Sequence, residues 1–158
     1  MRYAIALCIV AAAASVLASQ AAADTTRFVS MTFTEPIVPS LKSGTCPVVD
    51  GFCGQGEVVG IGQATETIEF NGGCGGACDL RTITLPGGSL VLEETFSDAT
   101  CPGACTPNPA EPISGSLNDV VVGGSGLYAQ ATGTLTGSVT AAGLTSVVKL
   151  AGTIHYDP

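Results

Sequence analysis

The chain has 158 residues, with 13 acidic and 5 basic side chains, 21 glycines, seven cysteines and no tryptophan. That length suits one domain, and a formal charge of −8 excludes the clustered Lys and Arg that a nucleic-acid backbone requires. With 46% apolar and 11% charged residues, the composition argues against intrinsic disorder.

Residues 1–23 read as a signal peptide. Met1-Arg2 is a short basic start, Ala4 to Leu17 is an apolar run, and Ala21-Ala22-Ala23 supplies the small-x-small pattern that signal peptidase reads before Asp24. The run is shorter than the ~20 residues a spanning helix needs. Removing the leader takes away Arg2 and Cys8, leaving 135 residues, six cysteines and a charge of −9. No later segment is long and apolar enough to span a bilayer. The expectation is a secreted chain, extracellular or in the periplasm or cell envelope, with residues 24–158 forming a single domain.

Beyond the leader, no stretch carries the i, i+3, i+4 apolar spacing of an amphipathic helix. Short runs rich in Val, Ile, Thr and Phe alternate with Gly/Pro/Asn clusters, at about 26–35, 57–70, 79–85, 89–97, 112–122, 127–140 and 144–157. This is an all-β pattern. In 57–70, Val59 and Ile61 are odd-numbered whereas Ile68 and Phe70 are even-numbered. Such a parity switch needs a bulge or turn, and Gly60-Ile61-Gly62 permits one. A closed up-and-down barrel needs an even strand count to avoid a parallel seam. The alternatives are a hairpin near Gly62–Thr65 or a further short strand in 36–55.

Leu85-Pro86-Gly87-Gly88-Ser89 is the clearest turn. With Gly87-Gly88 as a two-residue loop, Leu85 opposes Leu90, Ile83 opposes Leu92 and Arg81 opposes Glu94. All six share one face, which Phe96 continues. An Arg–Glu pair on an apolar face is either a register-fixing salt bridge or a polar group in the lumen, where desolvation makes a carboxylate a usable acid or base. Glu35 follows Val29, Met31 and Phe33, and Glu66 precedes Ile68 and Phe70, so both acids fall on apolar faces too. Arg81, Glu94, Glu66 and Glu35 are therefore the candidate catalytic residues. Glu57, Glu69, Glu93, Asp98 and Glu111 read as solvated charge.

The six cysteines of the exported chain fall into Cys46 and Cys53, Cys74-Gly-Gly-Ala-Cys78, and Cys101-Pro-Gly-Ala-Cys105. Three local disulfides are the simplest pairing, with a Cys74–Cys101 cross-loop bridge as the competitor. A zinc site is the other use of such spacing. Export, the lack of a nearby histidine and the Gly/Pro loops favour disulfides, so neither metal nor cofactor is expected.

In the last two runs, alternation turns Ala129, Ala131, Gly133, Leu135, Gly137 and Val139 inward, and Thr132, Thr134, Thr136, Ser138 and Thr140 outward. The outer threonines suit a solvated strand face. Leu144, Val148, Leu150, Ile154 and Tyr156 then share the core face, and His155, the chain's one histidine, points to solvent.

The stretch Gly123-Gly124-Ser125-Gly126-Leu127-Tyr128-Ala129-Gln130-Ala131-Thr132-Gly133 resembles the G-G-x-G-x-F/Y-x-x-A-x-G segment of plant dirigent proteins and allene oxide cyclase-like proteins. Gly56–Ala64 is weakly similar to an earlier glycine-bearing strand of that superfamily. The resemblance implies a closed, calycin-like antiparallel β-barrel of about eight strands, with a central cavity and often a homo-oligomeric assembly. Dirigent proteins steer the coupling of bound phenoxy radicals and allene oxide cyclases fold an epoxide, so the implied chemistry needs no metal or nucleophile. The matching residues are scaffold glycines, and the six cysteines depart from both branches.

No nucleophile elbow, zinc-protease helix, Walker loop or dinucleotide fingerprint is present. The leading expectation is a disulfide-stapled barrel binding a small apolar ligand in a lumen pocket of at least ~300 Å³, lined by Leu92, Phe96, Ile154 and Tyr156. The alternatives are a cofactor-free cyclase or isomerase using Glu94 or Glu66 with Arg81, and a filled barrel serving as an envelope or surface assembly protein.

Overall fold

The computed structural model describes residues 25–36, 46–48, 50–100 and 112–157. Eight strands follow in chain order: β1 (Thr25–Pro36), β2 (Gly51–Val58), β3 (Gly62–Gly73), β4 (Cys78–Leu85), β5 (Gly88–Thr100), β6 (Ile113–Gly126), β7 (Thr132–Ala142) and β8 (Thr145–Tyr156). Each pairs antiparallel with the next, and β8 returns to β1, so the sheet closes into a barrel. Closure leaves no strand edge to template aggregation. The leader, Cys101, Cys105 and Glu111 lie outside the described residues.

The irregular 57–70 run resolves the strand count. Val58 ends β2 fully buried, a turn at Val59–Ile61 follows, and β3 starts at Gly62. Gly60 sits at φ +78°, a conformation glycine adopts at little cost. The hairpin thus comes slightly before the expected Gly62–Thr65, and the additional strand is β2, only partly within the expected 36–55. The inward residue is Val58; Val59 is exposed.

The β4–β5 hairpin corrects the sequence register by two residues. Arg81 pairs with Leu92, Ile83 with Leu90 and Leu85 with Gly88, so Pro86-Gly87 is the loop rather than Gly87-Gly88. Proline presets φ at the first loop position, and Gly87 takes φ +90° at the second. A shift of two preserves side-chain parity. Arg81, Ile83, Leu85, Leu90, Leu92 and Glu94 therefore all still face inward and are buried. Phe96 departs from that face in exposure, being 47% exposed at the strand's outer end.

The core fills the barrel from β1 (Val29, Met31, Phe33) across to β8 (Val148, Leu150, Ile154), with Ile83, Leu90 and Leu92 between them. Each such side chain contributes about 1.5–3 kcal/mol on full burial. Two residues expected inward lie in turns instead: Ala129 and Leu144 are exposed, and Tyr128 takes the buried position beside Tyr156. The outward row Thr132, Thr134, Thr136, Ser138 and Thr140 is exposed.

The barrel's two ends differ. Short turns at Val59–Ile61, Pro86–Gly87 and Leu127–Ala131 close one end. The strand ends that the β1–β2 and β5–β6 connections join, and the Cys74–Cys78 turn, stand at the other, here termed the long-loop end. Cys46–Cys53 and Cys74–Cys78 are disulfides, which rules out the Cys74–Cys101 cross-loop alternative. Disulfides form and persist in oxidising compartments, the setting these two bridges suggest.

Candidate functional site

Beneath the long-loop end, the lumen changes from apolar to charged. Arg81 is 1% exposed, and three carboxyl groups from three strands converge on it. Its Nε donates to Glu94 Oε2 at 2.7 Å and its Nη1 donates to Glu35 Oε1 at 3.2 Å. Nη1 also donates to Glu66 Oε2. Ser146 Oγ donates to the second Glu35 oxygen at 2.5 Å. The four candidates from the sequence are thus brought together around one guanidinium.

Two further residues complete the cluster. Asp119 of β6 is 2% exposed and stands directly opposite Glu94 in the β5–β6 ladder. Like charges in that relationship repel. Gly54 of β2 pairs with Glu66, and a Cβ there would lie 2.6 Å from Glu66 Oε1 and 3.0 Å from Glu35 Cγ. The absent side chain leaves the space in which the Glu35 and Glu66 carboxyls meet. Ser146 faces Glu35 from β8. Asp119 carried the same parity signal as the other acids, since it lies between buried Leu117 and Val121. Val120 and Val122, both about half exposed, obscure it.

The cluster has more acceptors than donors. Four ionised carboxylates against one guanidinium would leave −3 in a desolvated space, which is prohibitive. Burial pushes the Glu66 carboxyl up to about 9, with Arg81 pulling it down and Glu35 adding to the rise. Burial likewise pushes Asp119 up to about 8, reinforced by Glu94 and opposed by Arg81. Burial alone would lower the Arg81 guanidinium, but Glu66, Glu94 and Glu35 outweigh it and hold the group above its ordinary value. Ionised, Glu66 Oε1 and both Asp119 oxygens would have no hydrogen-bond partner. As carboxylic acids, Glu66 donates to Glu35 and Asp119 donates to Glu94, which leaves one Asp119 oxygen without a partner.

Above this floor stands an apolar rim. Phe52 and Phe70 stack edge-to-face with ring centroids 5.0 Å apart. The Phe96 ring covers Gly115, where a Cβ would lie 2.2 Å from Phe96 Cε2. Phe70 and Phe96 are 39% and 47% exposed. The residues expected to line one lumen pocket do not share a space. Leu92 and Ile154 are wholly enclosed in the core, Tyr156 lies towards the short-turn end, and Phe96 belongs to the long-loop rim.

Among the described residues, cavities open on the outer wall and at the short-turn end. One of about 530 Å³ is walled by outward-facing Thr34, Gln55, Thr65 and Thr84 together with Pro47 and the Cys46–Cys53 bridge, and it borders Gly54 and Glu66. A second, about 340 Å³, continues along the same face past Gln63 to Pro86. The third, also about 340 Å³, holds Gln130, Thr132, His155, Tyr156 and Asp157 at the short-turn end. His155 is half-buried there, with Nδ1 2.8 Å from Thr26 Oγ1.

Among the acids read as solvated, Glu93 is half-buried and accepts a hydrogen bond from the Cys74 backbone N–H at 2.8 Å. Cys74, Cys78 and Glu93 are close enough to form a three-ligand metal set, but the disulfide occupies both sulfurs. Among the described residues no helix is long and apolar enough to cross a membrane. Comparison with family models, with curated proteins and with solved structures yields no match.

Proposed function

We propose that this chain is an exported barrel that binds a small, mostly apolar ligand at its long-loop end, with the Phe52–Phe70–Phe96 rim holding the apolar body above the Arg81 cluster. The observation that carries this reading is the buried, acceptor-rich floor beneath exposed aromatic side chains. An unpartnered buried acceptor is costly, and a ligand's polar head offers a donor to the remaining Asp119 oxygen. Apolar surface beside a few convergent polar groups is the usual chemistry of a small-molecule site. The Met1–Ala23 leader pattern supports export, as do the two disulfides. The resemblance of Gly123–Gly133 to dirigent and allene oxide cyclase-like proteins supports a ligand-holding barrel.

A second reading follows from one observation. Glu66, pushed up to about 9, is a carboxylic acid at neutral pH beside a guanidinium. That is the protonation state a general acid needs. It favours a cofactor-free cyclase or isomerase in which Glu66 donates the proton and Arg81 steadies developing negative charge.

Native mass spectrometry of protein purified from its own host tests the binding reading. A retained ligand adds a discrete mass, and Phe96→Ala with Phe70→Ala removes the rim while leaving the enclosed core intact. Loss of the added mass at an unchanged melting temperature supports the site. Retention undiminished in the double variant removes it.

A further inference from the structure

The outer wall formed by β1 to β4 is covered on one side and uncharged. Across it Thr34 pairs with Gln55, Gln55 with Thr65 and Thr65 with Thr84, so four outward side chains form one row over four strands. All four are exposed on the barrel's outer surface. Threonine suits a strand through its branched Cβ. In this row it offers a methyl group beside a hydroxyl, and Gln55 offers methylenes beside an amide.

A disulfide supplies the cover. Cys53 shares the outward side of β2 with Gln55, two residues on, and its bridge to Cys46 holds Cys46 and Pro47 against that side. The cavity of about 530 Å³ lies between them and the row, with Pro36 at its edge. The neighbouring cavity of about 340 Å³ shares Gln55, Thr65 and Thr84 with it and runs on past Gln63 to Pro86. Together they make one groove of small-molecule size. It follows β3 from Thr67 to Gln63, a span of about 13 Å at the rise of a strand.

The lining decides the charge of an occupant. Glu66 borders the groove, but its side chain is enclosed in the lumen against Arg81. The other polar side chains of the lining are neutral threonines and glutamines. A cation held here has no carboxylate inside the groove to pair with. An anion has no cationic partner and meets a chain of formal charge −8, with Glu57 beside Gln63 just outside the lining. Desolvating either charge without a partner is costly. We propose that this groove is a second ligand site, apart from the long-loop end, and that it takes an elongated, uncharged molecule. Its apolar body lies along the threonine methyls and prolines, and a hydroxyl or carbonyl on it meets the Gln55 or Gln63 amide, which both donates and accepts.

Fluorescence titration of the full exported protein with N-phenyl-1-naphthylamine, an uncharged dye that brightens in apolar surroundings, tests this. The dye binds, and Thr65→Phe, which puts a ring into the groove from an exposed strand position, weakens it by roughly tenfold or more at an unchanged melting temperature. Thr84→Phe is the second variant should the first fail to fold. Cys46→Ala with Cys53→Ala loosens the cover and weakens the dye several-fold while the barrel stays folded. Phe70→Ala with Phe96→Ala leaves the dye's affinity unchanged, which separates this groove from the long-loop rim. Decanol, decanoate and decyltrimethylammonium share one tail, and decanol displaces the dye at a roughly tenfold lower concentration than either charged competitor. Equal displacement by all three overturns the uncharged occupant. Dye affinity undiminished in both wall variants overturns the groove, and its loss in the rim variant instead moves the ligand to the long-loop end. An affinity unchanged without the Cys46–Cys53 bridge overturns the bridge as the cover. No dye binding at all overturns the groove as a ligand site and leaves the long-loop reading to its own test.

Discussion

Glu35 of β1 reaches Arg81 of β4 across the lumen, Oε1 to Nη1 at 3.2 Å, although the two strands are not neighbours in the sheet. Backbone ladders tie each strand only to the next. This ion pair spans the barrel, and Ser146 extends it into β8. Position in the fold thus makes Arg81 the hub of the long-loop end.

Arg81→Met is accordingly expected to destabilise the barrel by about 3–5 kcal/mol, the range for breaking a buried ion pair and stranding its partners. Methionine fills much of the volume, so the loss reads charge rather than cavity. Without the guanidinium every carboxyl in the cluster favours its neutral form, so part of the loss is recovered at pH 4. Urea unfolding at pH 7 and pH 4 measures both. An equal loss at the two pH values contradicts the electrostatic account.

The pH dependence of the native protein has a defined sign. Glu66 holds its proton to about 9 when folded, against 4.5 in its reference state, and Asp119 to about 8 against 3.8. Between those limits the folded chain binds protons that the unfolded chain has released, so stability falls as pH rises. This contribution is fully present below about pH 4 and lost by pH 9, at up to about 1.4 kcal/mol per pH unit for each proton. Melting temperatures from pH 4 to 9 are expected to decline, with a shallower slope in Glu66→Gln. A melting temperature that climbs from pH 5 to 8 rules the proton-bound cluster out.

Parity explains why so much of this cluster was legible in the sequence. A carboxylate between apolar residues on alternate positions reads as inward-facing, and Glu35, Glu66 and Glu94 all have that pattern with Arg81. Pro86-Gly87 and Gly87-Gly88 both make acceptable two-residue loops, so the sequence leaves the hairpin register open by two residues, and the structure takes Pro86-Gly87. A two-residue slip leaves faces unchanged, so either register points Arg81 and Glu94 into the lumen. Asp119 was hidden by exposed Val120 and Val122, which make the run look apolar throughout. Which apolar residues enclose a space is set by barrel tilt and stagger, and single-strand alternation carries no such information. That is why Leu92, Ile154, Tyr156 and Phe96, correctly apolar, do not form one pocket.

The two disulfides close short loops, with sequence separations of 7 and 4. Loop-closure entropy gives about 2 kcal/mol for each. Cys46→Ala with Cys53→Ala should therefore lower stability by about that amount and leave the barrel folded, because the ladders and core do not depend on the bridge. Circular dichroism with denaturant titration checks this. Complete unfolding of the double variant at 25 °C means that the bridge does more than shorten the unfolded chain.

Gly54 offers the sharpest test of the cluster's geometry. Its missing side chain is where Glu35 and Glu66 meet, and an added Cβ would fall 2.6 Å from Glu66 Oε1. On strand propensity alone, Gly→Ala in a strand interior is favourable by roughly 0.5–1 kcal/mol. Here the clash reverses the sign, and Gly54→Ala should cost about 1–3 kcal/mol as overpacking. The conflict lies with the Glu66 side chain, so Glu66→Ala in the same molecule should relieve it, and the two changes together should cost less than the sum of the singles. A thermodynamic double-mutant cycle by urea unfolding measures that coupling. Additive losses would mean that Gly54 is constrained by its own backbone rather than by the carboxyls packed against it.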